Sequence, residues 1–132
     1  MCLAVYIASD RDLPLKEFDP AAPGFNVKPL TSHETSVRQQ FSLRHVVYAG
    51  SQTSCACGFV PESDEGVEAS AQSRADLVQY LESALRSGPV EIFTCWEGDQ
   101  ERGPERRLKL GPAQLSQTAD WLAELTFVEL LA

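Results

Sequence analysis

Cys2-Leu3-Ala4-Val5-Tyr6-Ile7-Ala8 is the stretch that decides the fold. Its β-branched and aromatic content marks a strand, and it lacks the apolar–polar alternation of a strand with one wet face. It predicts a central strand buried on both sides. Other strands must then flank it, and helices must cover the sheet.

Working outward, Phe25 to Leu30 alternates as a short strand, and Pro29, which has no amide donor, places it at an edge. His45 to Ala49 is a β-branched run broken at Gly50-Ser51. Val90 to Trp96 is a further strand, and Arg106 to Leu110 is expected to return as its hairpin partner, with Leu108 and Leu110 inward. Residues 125–131 leave helix and strand open, with Phe127 and Val128 favouring the strand.

The clearest helix is 73–87. Ser73 and Asp76 have capping-box spacing, Leu77, Leu81, Ala84 and Leu85 share a stripe widened by Val78, and Gly88-Pro89 stops it. Thr31 or Ser32 is placed to cap a short helix over 33–40, and Gly111-Pro112 opens a shorter C-terminal helix. Residues 10–24, with Pro14, Pro20 and Pro23, are loop, and 61–69, with Glu62, Asp64, Glu65 and Glu68, are expected to be a solvated, mobile loop. The expected fold is α+β: a mainly antiparallel sheet of about five to six strands, helix 73–87 on one face, and a single domain over 1–132.

With 132 residues and 43% hydrophobic content, the chain can form a core without disulfide or metal staples. No apolar run approaches the ~18 residues of a membrane span, and Cys2 to Ala8 is too short and lacks the basic flank of a signal peptide. The expected compartment is the cytoplasm, where thiols stay reduced. A net charge of −8 argues against nucleic acid as a partner. Arg102, Arg106, Arg107 and Lys109 are interleaved with Glu101 and Glu105, the pattern of a charged solvent face. A protein partner or a homo-oligomer stays open.

Chemistry concentrates at Cys55-Ala56-Cys57-Gly58-Phe59. In a strand, residues two apart point to one face, so both sulfurs could meet one metal ion, with Gly58 permitting a bend. A tetrahedral zinc needs two more ligands. His45 and Cys95 are the set nominated with Cys55 and Cys57, and His33 and Cys2 stand behind them. A single intervening residue is shorter than the usual spacing of paired zinc cysteines. A redox pair is the second reading: a disulfide across one residue closes a strained ring, and Arg44 or His45 is the nearest activating cation in sequence. In the third, the cysteines are structural and pack as small hydrophobes, which suits Cys95 in its apolar strand.

The third reading requires no convergence of distant side chains. It makes the chain a noncatalytic binding or interaction domain, with the Cys55/Cys57 thiol site as the alternative. Whether the protein is an enzyme stays open. Cys2 would be an N-terminal nucleophile if Met1 were trimmed, but a buried strand opposes attack. No G-x-S-x-G and no glycine-rich phosphate loop occur. Glu97 and Asp99 flank Gly98 as a candidate pair for a hard cation. Trp96 and Trp121 serve either the core or an interaction patch.

Met1-Cys2 followed by Ile7-Ala8-Ser9, then Cys55-x-Cys57-Gly58-Phe59, then Cys95-Trp96-x-Gly98-Asp99, resembles a family of small bacterial proteins of unknown function. The resemblance runs over nearly the whole chain. It implies an intracellular bacterial protein and no particular activity.

Overall fold

The computed structural model describes residues 2–61 and 63–132. Met1, whose trimming bears on Cys2, and Glu62, one of the acids assigned to the 61–69 loop, lie outside the described residues. The elements in order are β1 (Leu3–Ser9), β2 (Asn26–Pro29), β3 (His45–Gly50), α1 (Val67–Ser87), β4 (Val90–Trp96), β5 (Arg106–Leu110), α2 (Pro112–Gln117) and β6 (Thr126–Leu130). Short 3-10 turns cover Thr35–Gln40 and Ala56–Phe59.

The fold is α+β, with one six-stranded sheet in the order β2-β3-β1-β4-β6-β5. Every residue of β1 is buried, and β3 and β4 flank it antiparallel. Pro29 ends β2 at the sheet edge.

The sheet is mixed rather than uniformly antiparallel. β5 pairs with β6 in parallel, and β6 inserts between β4 and β5, so the expected 90–96/106–110 hairpin does not form. The reason is burial. Thr126, Phe127, Val128 and Leu130 are all buried, whereas Arg106, Arg107 and Lys109 of β5 are exposed. The apolar strand takes the interior place and the cationic strand takes the edge, where charge discourages further pairing. The segment through α2 then supplies the long connection that parallel neighbours need.

Register divides the sheet into two faces. Tyr6, Tyr48, Phe93 and Phe127 lie level on one, and Phe41 packs against Phe93 and Phe127, so the segment around Thr35–Gln40 covers it. The other carries Val5, Ile7, Ile92 and Val128, all fully buried. α1 packs against β4, α2 and the Ala56–Phe59 turn, with Leu77 and Leu81 fully buried. It begins at Val67, six residues before the expected start, with Gly66 at φ 84 opening it. Ser73 is therefore no cap: it lies inside the helix and bonds Gln52. Part of the loop assigned to 61–69 is thus helical, because helical geometry lets buried Ser70 and Ser73 satisfy the Gln52 side chain and amide.

Among the described residues, no helix is long and apolar enough to cross a membrane.

Candidate metal centre

β3 and β1 run antiparallel with Val5 opposite Ala49, so continuing the register brings Cys2 level with Gln52, just past the end of β3. There the chain makes a tight loop. Ser51 N–H donates to Cys55 O at 2.9 Å, Ser51 Oγ donates to the same carbonyl at 2.7 Å, and Ser54 N–H donates to Ser51 O at 3.0 Å. Ser54 sits at φ 73, a left-handed conformation uncommon for a non-glycine residue. Lys28 Nζ holds it by donating to Ser54 O at 2.9 Å and Ser54 Oγ at 2.8 Å.

Two glycines make this loop fit. A Cβ at Gly50 would collide with Ser54 O and the Asn26 amide, and one at Gly58 with Ser51 Oγ and the Gln52 side chain. Gly58 therefore serves close approach.

Cys55 and Cys57 do not lie in a strand. Cys55 is extended, and Cys57 follows inside the Ala56–Phe59 turn, anchored by fully buried Phe59. The turn directs Cys57 Sγ back to β1, where it accepts Leu3 N–H at 3.3 Å. Beside Leu3 stands Cys2, whose carbonyl accepts Glu97 N–H at 2.8 Å. The sulfurs of Cys2, Cys55 and Cys57 consequently lie within 4.8 Å of one another, each half-buried.

The other nominated ligands sit elsewhere. His45 is at the opposite end of β3, level with Ser9, with Nδ1 3.0 Å from Asp12 Oδ1. Cys95 is fully buried on β4 opposite Ala4, in the core role anticipated for it, and burial followed by Asp99, Glu97 and Glu34 pushes its thiol up to about 12. His33 is exposed on the wall of a nearby cleft. Of the two carboxylates around Gly98, Asp99 pairs with Arg102 at 3.4 Å and Glu97 lines that cleft. Trp121 is core, with its Nε1–H donating to Leu115 and Thr118 carbonyls. Half-buried Trp96 donates to Glu124 at 2.6 Å.

The thiols are not equivalent. Burial raises Cys55, but Thr53 Oγ1 at 3.3 Å, the Cys57 amide and the neighbouring thiols outweigh it, and the net shift is downward. Burial and the hydrogen bond with Cys55 push Cys57 up to about 12, against the lowering by Leu3 N–H.

Cys55 also lines a cleft of about 540 Å³, whose walls include Lys28, Tyr48, Glu97 and Gln100. Burial, offset in part by the Ala56 amide, raises Tyr48 above its ordinary value, so its hydroxyl stays protonated. Cys57 faces a smaller hollow of about 270 Å³ lined by Leu3, Val60, Trp96 and Leu122.

Sequence reasoning named Cys2 only as a reserve ligand and missed Lys28 and Tyr48. The signal was in the strand register, because an antiparallel β1–β3 pair places the start of one beside the end of the other. The short motifs at Cys2, Cys55-x-Cys57-Gly58-Phe59 and Cys95-Trp96-x-Gly98-Asp99 meet here, with Leu3 opposite Trp96 and Glu97 bonded to Cys2. No family model, curated protein or solved structure matches the chain.

Proposed function

We propose that this protein is a noncatalytic metal-binding domain that holds zinc through Cys2, Cys55 and Cys57. The observation that carries the reading is the approach of three sulfurs, from segments more than fifty residues apart, to within 4.8 Å of one another. Zinc–thiolate bonds of ~2.3 Å put sulfurs of a tetrahedral site ~3.8 Å apart, so binding draws them in by at most about 1 Å. Side-chain rotation about Cα–Cβ supplies that movement. Thiolates favour soft or borderline metals over magnesium and calcium. The Leu3 amide stabilises one sulfur as an outer partner of the ligand set.

A native mass spectrum of protein purified without chelators tests this. One zinc per chain is expected, released on mild acidification and absent from Cys55→Ser and Cys57→Ser variants. A bare mass after incubation with stoichiometric zinc would overturn the reading.

The unequal thiols favour one second reading, a Cys55–Cys57 redox pair in which the lower-pKa Cys55 attacks an oxidant. Two protons and two electrons would pass to a peroxide, and the same spectrum would register the loss of two hydrogens.

A further inference from the structure

Three protein thiolates would leave a bound zinc one open coordination position, and one of the three, Cys55, lines the 540 Å³ cleft. Lys28 Nζ spends two hydrogen bonds on Ser54, one residue from Cys55, and lies 5.5 Å from the Tyr48 ring centroid; its third N–H has no acceptor among the described residues. Tyr48 is 7% exposed, and its hydroxyl accepts Ala56 N–H at 2.9 Å. Tyr48 lines the cleft, and the proton of its hydroxyl has no acceptor among the described residues. A buried O–H in this state is a donor for a ligand.

The negative side of the cleft is equally defined. Glu34 is occupied, accepting Tyr6 O–H at 2.7 Å and Thr31 N–H at 2.8 Å. Glu97 is exposed, and its backbone N–H donates to Cys2 O, so it stands on the Cys2 side of the cluster. The cleft that Cys55 lines thus carries both a carboxylate, Glu97, and an ammonium, Lys28. Among the described residues, the hollow on the Cys57 side carries one carboxylate, Glu124, already bonded to Trp96, and no cation.

We infer that the cleft binds a low-molecular-weight zwitterionic thiol of the cysteine type as the fourth zinc ligand. Its carboxylate meets Lys28 and the Tyr48 hydroxyl, its ammonium meets Glu97, and its sulfur meets the metal. Coordination forms a zinc–sulfur bond, displaces the water in the open position and releases the thiol proton to solvent. No electrons are transferred. This inference rests on the zinc reading above.

The test is native mass spectrometry and calorimetry of the zinc-loaded full chain with L-cysteine, cysteamine, 3-mercaptopropionate and L-alanine. A ternary complex is expected with L-cysteine, weaker complexes with the thiols lacking one charge, and none with L-alanine. Lys28→Met, compared at saturating zinc, should weaken L-cysteine about tenfold more than cysteamine; the difference isolates the lost charged hydrogen bond from the loss of the Ser54 contacts, which both ligands feel. Tyr48→Phe, which keeps the ring but leaves Ala56 N–H without its acceptor, should at saturating zinc weaken L-cysteine several-fold more than cysteamine. Failure to take up zinc would overturn both readings. Zinc uptake without a ternary complex, or equal affinity for L-cysteine and cysteamine, would overturn this one alone.

Discussion

Cys55 and Cys57 are two residues apart yet chemically different, because each sulfur meets a different set of donors. Cys55 gathers Thr53 Oγ1, the Cys57 amide and its neighbouring thiols, and its pKa falls. Cys57, with a pKa of about 12, stays protonated well above neutrality. A lower pKa means a larger thiolate fraction at a given pH, and the thiolate is the reactive form. In the metal-free protein, iodoacetamide should therefore label Cys55 at lower pH than Cys57, read by peptide mass mapping. Cys95 should resist until the chain unfolds, since it is fully buried. Gly50 is the residue on which the loop depends most directly. Gly50→Ala drives a methyl into Ser54 O and Asn26, and should cost about 1–3 kcal/mol in urea unfolding, as overpacking does.

The loop from Ser51 to Phe59 is held by the helix above it. Ser73 Oγ donates to Gln52 Oε1 at 2.7 Å and accepts Gln52 N–H at 3.1 Å, and Arg74 donates to Phe59 O at 2.6 Å. Gln52 Nε2 in turn donates to Gly58 O at 3.1 Å. The position of both cysteines thus depends on α1. Ser73→Ala leaves the Gln52 groups without their partner and should cost about 1–3 kcal/mol, measured by the urea midpoint. It should also lower zinc affinity in a chelator competition, because the loop must then be ordered on binding. A surface change on the far strand, Lys109→Ala, loses only an exposed pair with Glu129 at 3.7 Å. It should leave both measurements unchanged.

Across the whole molecule, a metal at the cluster ties the start of β1 to the loop after β3 and to the turn under α1. Such a link would exist only in the folded chain, so zinc bound there would stabilise by mass action, by about 2.7 kcal/mol at a hundredfold excess over its Kd. Thermal unfolding should shift upward with zinc and return with a chelator. In Cys2→Ser most of the shift should vanish, since a Cys55/Cys57 pair alone leaves zinc short of ligands. The same substitution should little affect metal-free stability, because Cys2 is only half-buried. A net charge of −8 draws cations toward the surface, so zinc association should slow as ionic strength rises.

What the amino-acid sequence determined by itself is the set of elements whose signal is local. A run apolar on both faces makes β1 central, Pro29 keeps β2 at an edge, and the leucine stripe closed by Gly88-Pro89 makes a helix ending at Ser87. Cys95 was legible as core for the same reason. Tertiary structure decided what depended on competition or distance. The place of β6 inside β5 follows from comparing the burial of two strands, and the early start of α1 from bonds to Gln52, more than twenty residues away from Ser73 in sequence. The candidate site belongs to this second class. Cys55 and Cys57 were visible as a pair, but their third partner is Cys2 and not His45, because antiparallel register sets the beginning of β1 beside the end of β3 and sends His45 to the other end of the sheet. Proximity across strands comes from pairing, which no single stretch of chain contains.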